Sequence, residues 1–170
     1  MKSSNDKQAL KYAKELYGIN NVAVKRIGIP RNLVRRIERK SQLKFRKLPK
    51  LYVMDIKSKT KTKIPKRMLN KYTRSMFGLD ITKRGLKFTD AVIVMPHPIF
   101  KDKMLREGVL IHELVEALIT QDLTREFDEF GLPHHYASKA ESKFYKSKHT
   151  SVKAQDKRAK KLLMNNDNWK

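Results

Sequence analysis

Cysteine is absent from the 170 residues. Disulfides and thiolate metal sites are therefore excluded, and any bound metal must be held by histidine and carboxylate. Acids are scarce: 17 Asp and Glu stand against 40 Lys and Arg, for a net charge of +23 and a pI near 10.3. There is no run of about 18 apolar residues, so no segment reads as a membrane span. No apolar stretch follows Met1-Lys2-Ser3-Ser4-Asn5-Asp6, so no secretory leader is expected, and the expected compartment is cytoplasmic. Apolar residues make up 39 % of the chain and mean hydropathy is −0.67, lean but enough for a core. The length suits one domain with tails. No internal repeat is present.

A charge this far from balance implies a polyanionic partner: nucleic acid, ribonucleoprotein or an anionic envelope. The charge is unevenly spread. Lys25 to Arg74 holds 19 Lys or Arg and two acids, Glu38 and Asp55. From Glu107 to Glu129 the balance inverts, with seven acids against Arg125 alone. Carboxylates concentrated in so basic a chain point to a bound cation, or to an acidic face that complements basic neighbours.

Hydrophobic periodicity and punctuation place the elements. A helix is predicted over 5–17, capped by Asn5 or Asp6, with Leu10, Ala13, Leu16 and Tyr17 as its stripe and Gly18 at its end. Residues 22–29 read as a strand or turn entering Pro30. A basic helix follows over 31–40 with Leu33, Val34 and Ile37 inward. Residues 51–56 are a strand, and the KSKTKTK run at 57–63 is an exposed loop or hairpin edge. Pro65 opens a helix over 65–77 that Gly78 ends. Short strands are expected at 79–81 and 86–88 around Lys83-Arg84-Gly85. Residues 91–95 (AVIVM) form the strongest strand, buried on both faces and stopped by Pro96 and Pro98. One long helix is expected over 100–122, a second over 133–148 and a third, basic one over 150–163, before a frayed Asn-rich end.

The long helix is apolar on most sides, through Met104, Leu105, Val109, Ile111, Leu114, Val115, Leu118 and Ile119, which makes it central. It also carries His112-Glu113-Leu114-Val115-Glu116. His112 and Glu116, four apart, share one helix face and can reach one cation. Glu113 lies about 100° round the helix, where H-E-x-x-H zinc hydrolases keep their general base. Burying unpaired carboxylates is costly, so a metal ion or salt bridges to Lys or Arg must compensate them. After Gly131-Leu132-Pro133 come His134, His135, Tyr136, Ala137 and Glu141 on the second helix.

HELVEAL at 112–118 followed by His134-x-x-Ala137-x-x-x-Glu141 resembles the zincin-type metallopeptidases encoded by tailed phages and related mobile elements. The resemblance covers roughly 90–146. It implies a zinc-dependent, peptidase-like hydrolase, acting in a host cytoplasm or virion. The corresponding fold class is α+β: a small zincin-like domain over 43–148, its metal-site helix packed on a small sheet. Basic helical extensions over 1–42 and 149–170 flank it. A catalytic zinc takes three protein ligands and an open position. His112, Glu116 and His134 supply the three, and Glu113 takes the proton of water. Glu141 is seven residues beyond His134, about 10.5 Å along a helix. It is therefore placed as the acceptor for the other ring nitrogen of His112, or as the alternative third ligand. His135, His97 and His149 read as loop or surface residues.

Other readings stay open. One is a non-catalytic nucleic-acid-binding or virion-structural protein on a degenerate zincin fold, with His112, Glu113 and Glu116 as core polar groups. Another is a Mg²⁺ or Mn²⁺ nuclease using Glu113, Glu116, Asp122 and Asp128. Phe45 and Tyr72, flanked by bases, could stack on nucleobases, although core anchoring suits Tyr72 better.

Candidate phosphate contacts are Arg31, Arg35, Arg36, Arg39 and Lys40 on the basic helix and Lys57, Lys59, Lys61 and Lys63 after the strand. Nucleic-acid affinity is expected to fall with salt. Each contact removed should flatten the slope of log affinity against log salt by about 0.7 to 0.9. Affinity that ignores salt, or that survives neutralising Arg31, Arg35, Arg36 and Arg39 together, would reject this.

Overall fold

The structure, a computed structural model, describes residues 3–57, 76–82, 85–122, 131–165 and 169. It is a mixed α+β arrangement. The chain begins with α1 (Ser4–Tyr17), which runs through β1 (Val22–Ile27) into α2 (Arg31–Ser41) and β2 (Lys50–Ile56). Then come β3 (Met76–Thr82), β4 (Gly85–Pro96), a short α3 (His97–Lys101) and the long α4 (Lys103–Asp122). The chain closes with α5 (Leu132–Ser147) and α6 (Val152–Met164).

One sheet of order β1-β2-β4-β3 organises these elements. β1 runs antiparallel to β2, from Val22 opposite Ile56 to Ile27 opposite Leu51. β2 and β4 are parallel, with Lys50 opposite Val92 and Met54 opposite Pro96. β3 returns antiparallel on β4, with an irregularity between Gly78 and Asp80. Val92, Ile93, Val94 and Met95 are fully buried, as their unbroken apolar run requires of a strand covered on both faces. α1 lies against the sheet and is tied to it by Tyr52, whose hydroxyl donates to Asp6 at 2.7 Å. That bond, with help from Ser3, holds the Asp6 carboxyl below its ordinary range. Burial and the same bond push Tyr52 up to about 12.

Local chemistry sets most boundaries. Ser3 caps α1, where the sequence predicts Asn5 or Asp6. Its Oγ accepts from the Asp6 amide at 3.2 Å, and the Asp6 carboxylate accepts from the Ser3 amide at 3.0 Å. Gly18 ends α1 at φ 65°, a left-handed conformation that glycine adopts without strain. In the stripe of α1, Ala13 is fully buried and Leu10 partly so, while the Leu16 and Tyr17 side chains lie outside the described residues. Leu33, Val34 and Ile37 are buried on α2, as their spacing predicts.

Four expectations are corrected. Met76 and Phe77, expected at the end of a helix over 65–77, stand in β3, and Gly78 lies inside that strand. Met76 and Phe77 pair with Val94 and Ile93, a partnership that local periodicity cannot see. Most of that expected helix, with Tyr72, and nearly all of the 57–63 loop lie outside the described residues. The two short strands expected near residue 84 are longer, with β4 continuous from Gly85 to Pro96. The helix expected from residue 100 is split at Asp102. Asp102 Oδ1 accepts from the Leu105 amide at 3.0 Å, starting α4 afresh, and Oδ2 meets Arg158 at 2.6 Å. Fourth, although residues 166–168 of the Asn-rich end lie outside the described residues, Trp169 is 6 % exposed, and its indole donates to the Leu163 carbonyl at 3.1 Å.

The segments expected as flanking extensions are packed into the same core. Ala9, Ala13, Val22, Leu33, Ile37, Ala159, Leu163 and Trp169 cluster with residues of β2, β4 and α4. Among the described residues no helix is long and apolar enough to cross a membrane.

α4 and α5 form the most extensive helix pair, and they approach closely at Gly108. A Cβ there would overlap the fully buried ring of Tyr145. Gly108→Ala is therefore expected to destabilise the fold by about 1–3 kcal/mol despite alanine's better helix propensity. Urea unfolding measures this, and a stability gain would show that the helices can separate freely.

Candidate metal centre

One buried polar group of α4, His112, meets a buried carboxylate of α5, Glu141. His112 is 8 % exposed, Glu113 7 % and Glu141 1 %. The His112 ring is held from both sides. Its Nδ1 lies 2.9 Å from Glu141 Oε2, and its Nε2 lies 3.5 Å from Glu116 Oε2. The contact brings Glu141 against one ring nitrogen of His112. A histidine oriented this way by a carboxylate is fixed in one tautomer and made a better ligand.

His134 enters from the first turn of α5. Its Nδ1 lies 3.9 Å from Glu116 Oε2, and its ring stands edge-on to His112 with centroids 5.0 Å apart. Its side chain is 67 % exposed. The other ring nitrogen lies 3.4 Å from Ser138 Oγ, a neighbour that the sequence reading misses although it sits one turn along at i+4.

The donor atoms of His112, Glu116 and His134 all lie within 4.8 Å of one another, and this group could hold a metal ion. Tetrahedral bonds near 2 Å would put ligands roughly 3.3 Å apart. The separations from Glu116 Oε2, 3.5 Å to His112 and 3.9 Å to His134, are near that value, within a group whose donors all lie within 4.8 Å of one another. One buried histidine, one half-buried glutamate and one exposed histidine leave the site open on the His134 side. Asp122 and Asp128, the further acids of a carboxylate-cluster reading, have side chains outside the described residues.

The remaining expected residues divide. His135 and His149 are exposed. His97 is not a loop residue: it opens α3, and its Nδ1 meets Asp55 Oδ2 at 3.1 Å across the ends of β4 and β2. Arg31, Arg35, Arg39 and Lys40 are exposed on α2, and Lys57 at the end of β2. Arg36 differs, because it is tied to Glu107 of α4 at 2.6 Å. Lys59, Lys61 and Lys63 lie outside the described residues. Comparison with protein-family models, with curated proteins and with solved structures found no match.

The geometry separates three roles that metal-affinity and urea-unfolding measurements can resolve. Glu141→Gln is expected to weaken metal binding about 10- to 100-fold. His134→Ala should lose the metal yet leave metal-free stability within about 0.5 kcal/mol, because its side chain is exposed. His112→Ala should lose the metal and also cost about 1–3 kcal/mol, by removing a buried hydrogen bond to Glu141 and the packing of a nearly buried ring. Equal destabilisation by the two histidine substitutions would contradict this arrangement.

Proposed function

We propose that the protein is a zinc-dependent, peptidase-like hydrolase on a zincin-like framework, held on nucleic acid or nucleoprotein by its basic surface. The observation that carries this is the convergence of His112, Glu116 and His134 from two helices, with Glu141 locking the inner histidine. Two imidazoles among three donors favour zinc over magnesium or manganese, which prefer oxygen. The same donor set weighs against the nuclease reading.

A zinc ion held there would supply Lewis acidity toward water and a substrate carbonyl. The chain's own groups do the rest. Glu141 keeps the His112 ring in the tautomer that presents Nε2. Glu113, next to His112 and nearly buried, accepts the proton of the attacking water and returns it to the leaving nitrogen. Exposed Arg31, Arg35, Arg39 and Lys40 lie on α2, which packs against α4, so the surface that holds a polyanion adjoins the helix that carries the site. The resemblance to phage-encoded enzymes puts the place of action in a host cytoplasm or a virion.

Elemental analysis of the purified protein should find about one zinc per chain. Glu113→Gln is expected to keep that zinc and abolish cleavage of a fluorogenic peptide library, since the amide cannot accept a proton. Cleavage that persists in Glu113→Gln would remove the base assignment. Wild-type protein without metal would leave the non-catalytic, nucleic-acid-binding reading.

A further inference from the structure

Between α2 and the first half of α4 lies a cavity of about 140 Å³, lined by Pro30, Asn32, Leu33, Arg36, Lys103, Arg106, Glu107 and Leu110. It is smaller than the roughly 300–1,000 Å³ of drug-sized sites. Its charge is one-sided: Arg36, Lys103 and Arg106 against Glu107, three minus one, a net +2. The two guanidinium groups are held in place. Arg36 Nη2 donates to Glu107 Oε1 at 2.6 Å, so the one acid in the lining is spent on orienting an arginine. Arg106 Nη1 donates to the Phe100 carbonyl at 3.1 Å, and its guanidinium stacks 5.1 Å from the Phe100 ring centroid. The cavity also borders the start of α2, which has Pro30 at its cap and no acid in its first turn, and where Asn32 Oδ1 accepts from the Leu33 amide at 3.0 Å. A helix start adds partial positive charge to that of the side chains.

We infer that this cavity is a phosphate-binding pocket, with Arg36 and Arg106 as the fork-shaped donors and Lys103 as the charge at its mouth. Planar guanidinium forks match phosphate oxygens, and pre-oriented ones lose little freedom on binding. The volume admits a tetrahedral anion with a little water, not a whole nucleotide. The phosphate can come from a nucleic-acid backbone or from a free phosphate group. The pocket stands apart from the metal ligands and is independent of the hydrolase reading. Only its nucleic-acid arm rests on the reading of the basic surface.

The test titrates the full chain with inorganic phosphate, then with a single-stranded oligonucleotide, following backbone amide shifts by NMR. Inorganic phosphate is expected to move the amides of Asn32, Leu33, Lys103 and Arg106 first, and Arg106→Ala to weaken it about tenfold. Arg106→Ala also releases Phe100, so Lys103→Glu is the second variant. Lys103 is exposed, and its reversal should weaken phosphate with the circular dichroism unchanged. Parallel loss of the oligonucleotide identifies a backbone phosphate as the source. Loss of inorganic phosphate alone identifies a free phosphate group, and either pattern supports the pocket. Shifts spread evenly over the basic surface would overturn it. So would wild-type phosphate affinity in both variants, or acetate moving the same amides as strongly.

Discussion

The buried contact between His112 on α4 and Glu141 on α5 is the constraint on which the site depends. A carboxylate with 1 % of its surface exposed must have a partner, and an imidazole in the most apolar helix must have one too. Each satisfies the other, at 2.9 Å. The bond fixes how α5 lies on α4. With Glu141 beside His112, His134, two turns earlier, comes within 3.9 Å of the same Glu116 oxygen that His112 approaches. Gly108 makes the approach possible further along, where the Tyr145 ring lies against the bare backbone of α4.

Charge is distributed to the same end. The chain carries 40 basic residues and 17 acids, and several acids perform a specific structural task. Asp6 closes the cap of α1 and takes the Tyr52 hydroxyl. Asp102 starts α4 and pairs with Arg158. Glu38 accepts from the Phe45 amide and meets Lys44, and Glu107 orients Arg36. Glu116 and Glu141 gather at the candidate metal centre. The long basic side chains occupy the exposed positions of α2, where solvation costs nothing and a polyanion can reach them.

The arrangement joins two chemistries on one helix. The first half of α4 lines a cationic cavity with α2, and its middle carries the metal-ligand candidates against α5. A rigid helix fixes the spacing of the two. The elements that flank α4 in sequence, from α1 to α6, complete one core around β4.

What the sequence determined by itself was whatever rests on neighbours along the chain. The i,i+4 spacing of His112 and Glu116, the inward stripe Leu33, Val34 and Ile37, the Gly18 stop and the buried run of β4 follow from helix and strand periods alone. The seven-residue spacing of His134 and Glu141 made joint chelation of one ion from a single helix a stretch, which favoured Glu141 beside the other ring nitrogen of His112 and kept it as the alternative third ligand. Tertiary structure decided what depends on distant partners. Met76 and Phe77 became strand because Val94 and Ile93 offered them hydrogen bonds. Asp102 split a helix where its cap and Arg158 outweighed continuity. Arg36 left the row of solvent-facing arginines because Glu107, 71 positions away, was within reach. The terminal segments joined the core because Ala9, Ala159, Leu163 and Trp169 found apolar surface to cover, and no local pattern records which surface that would be.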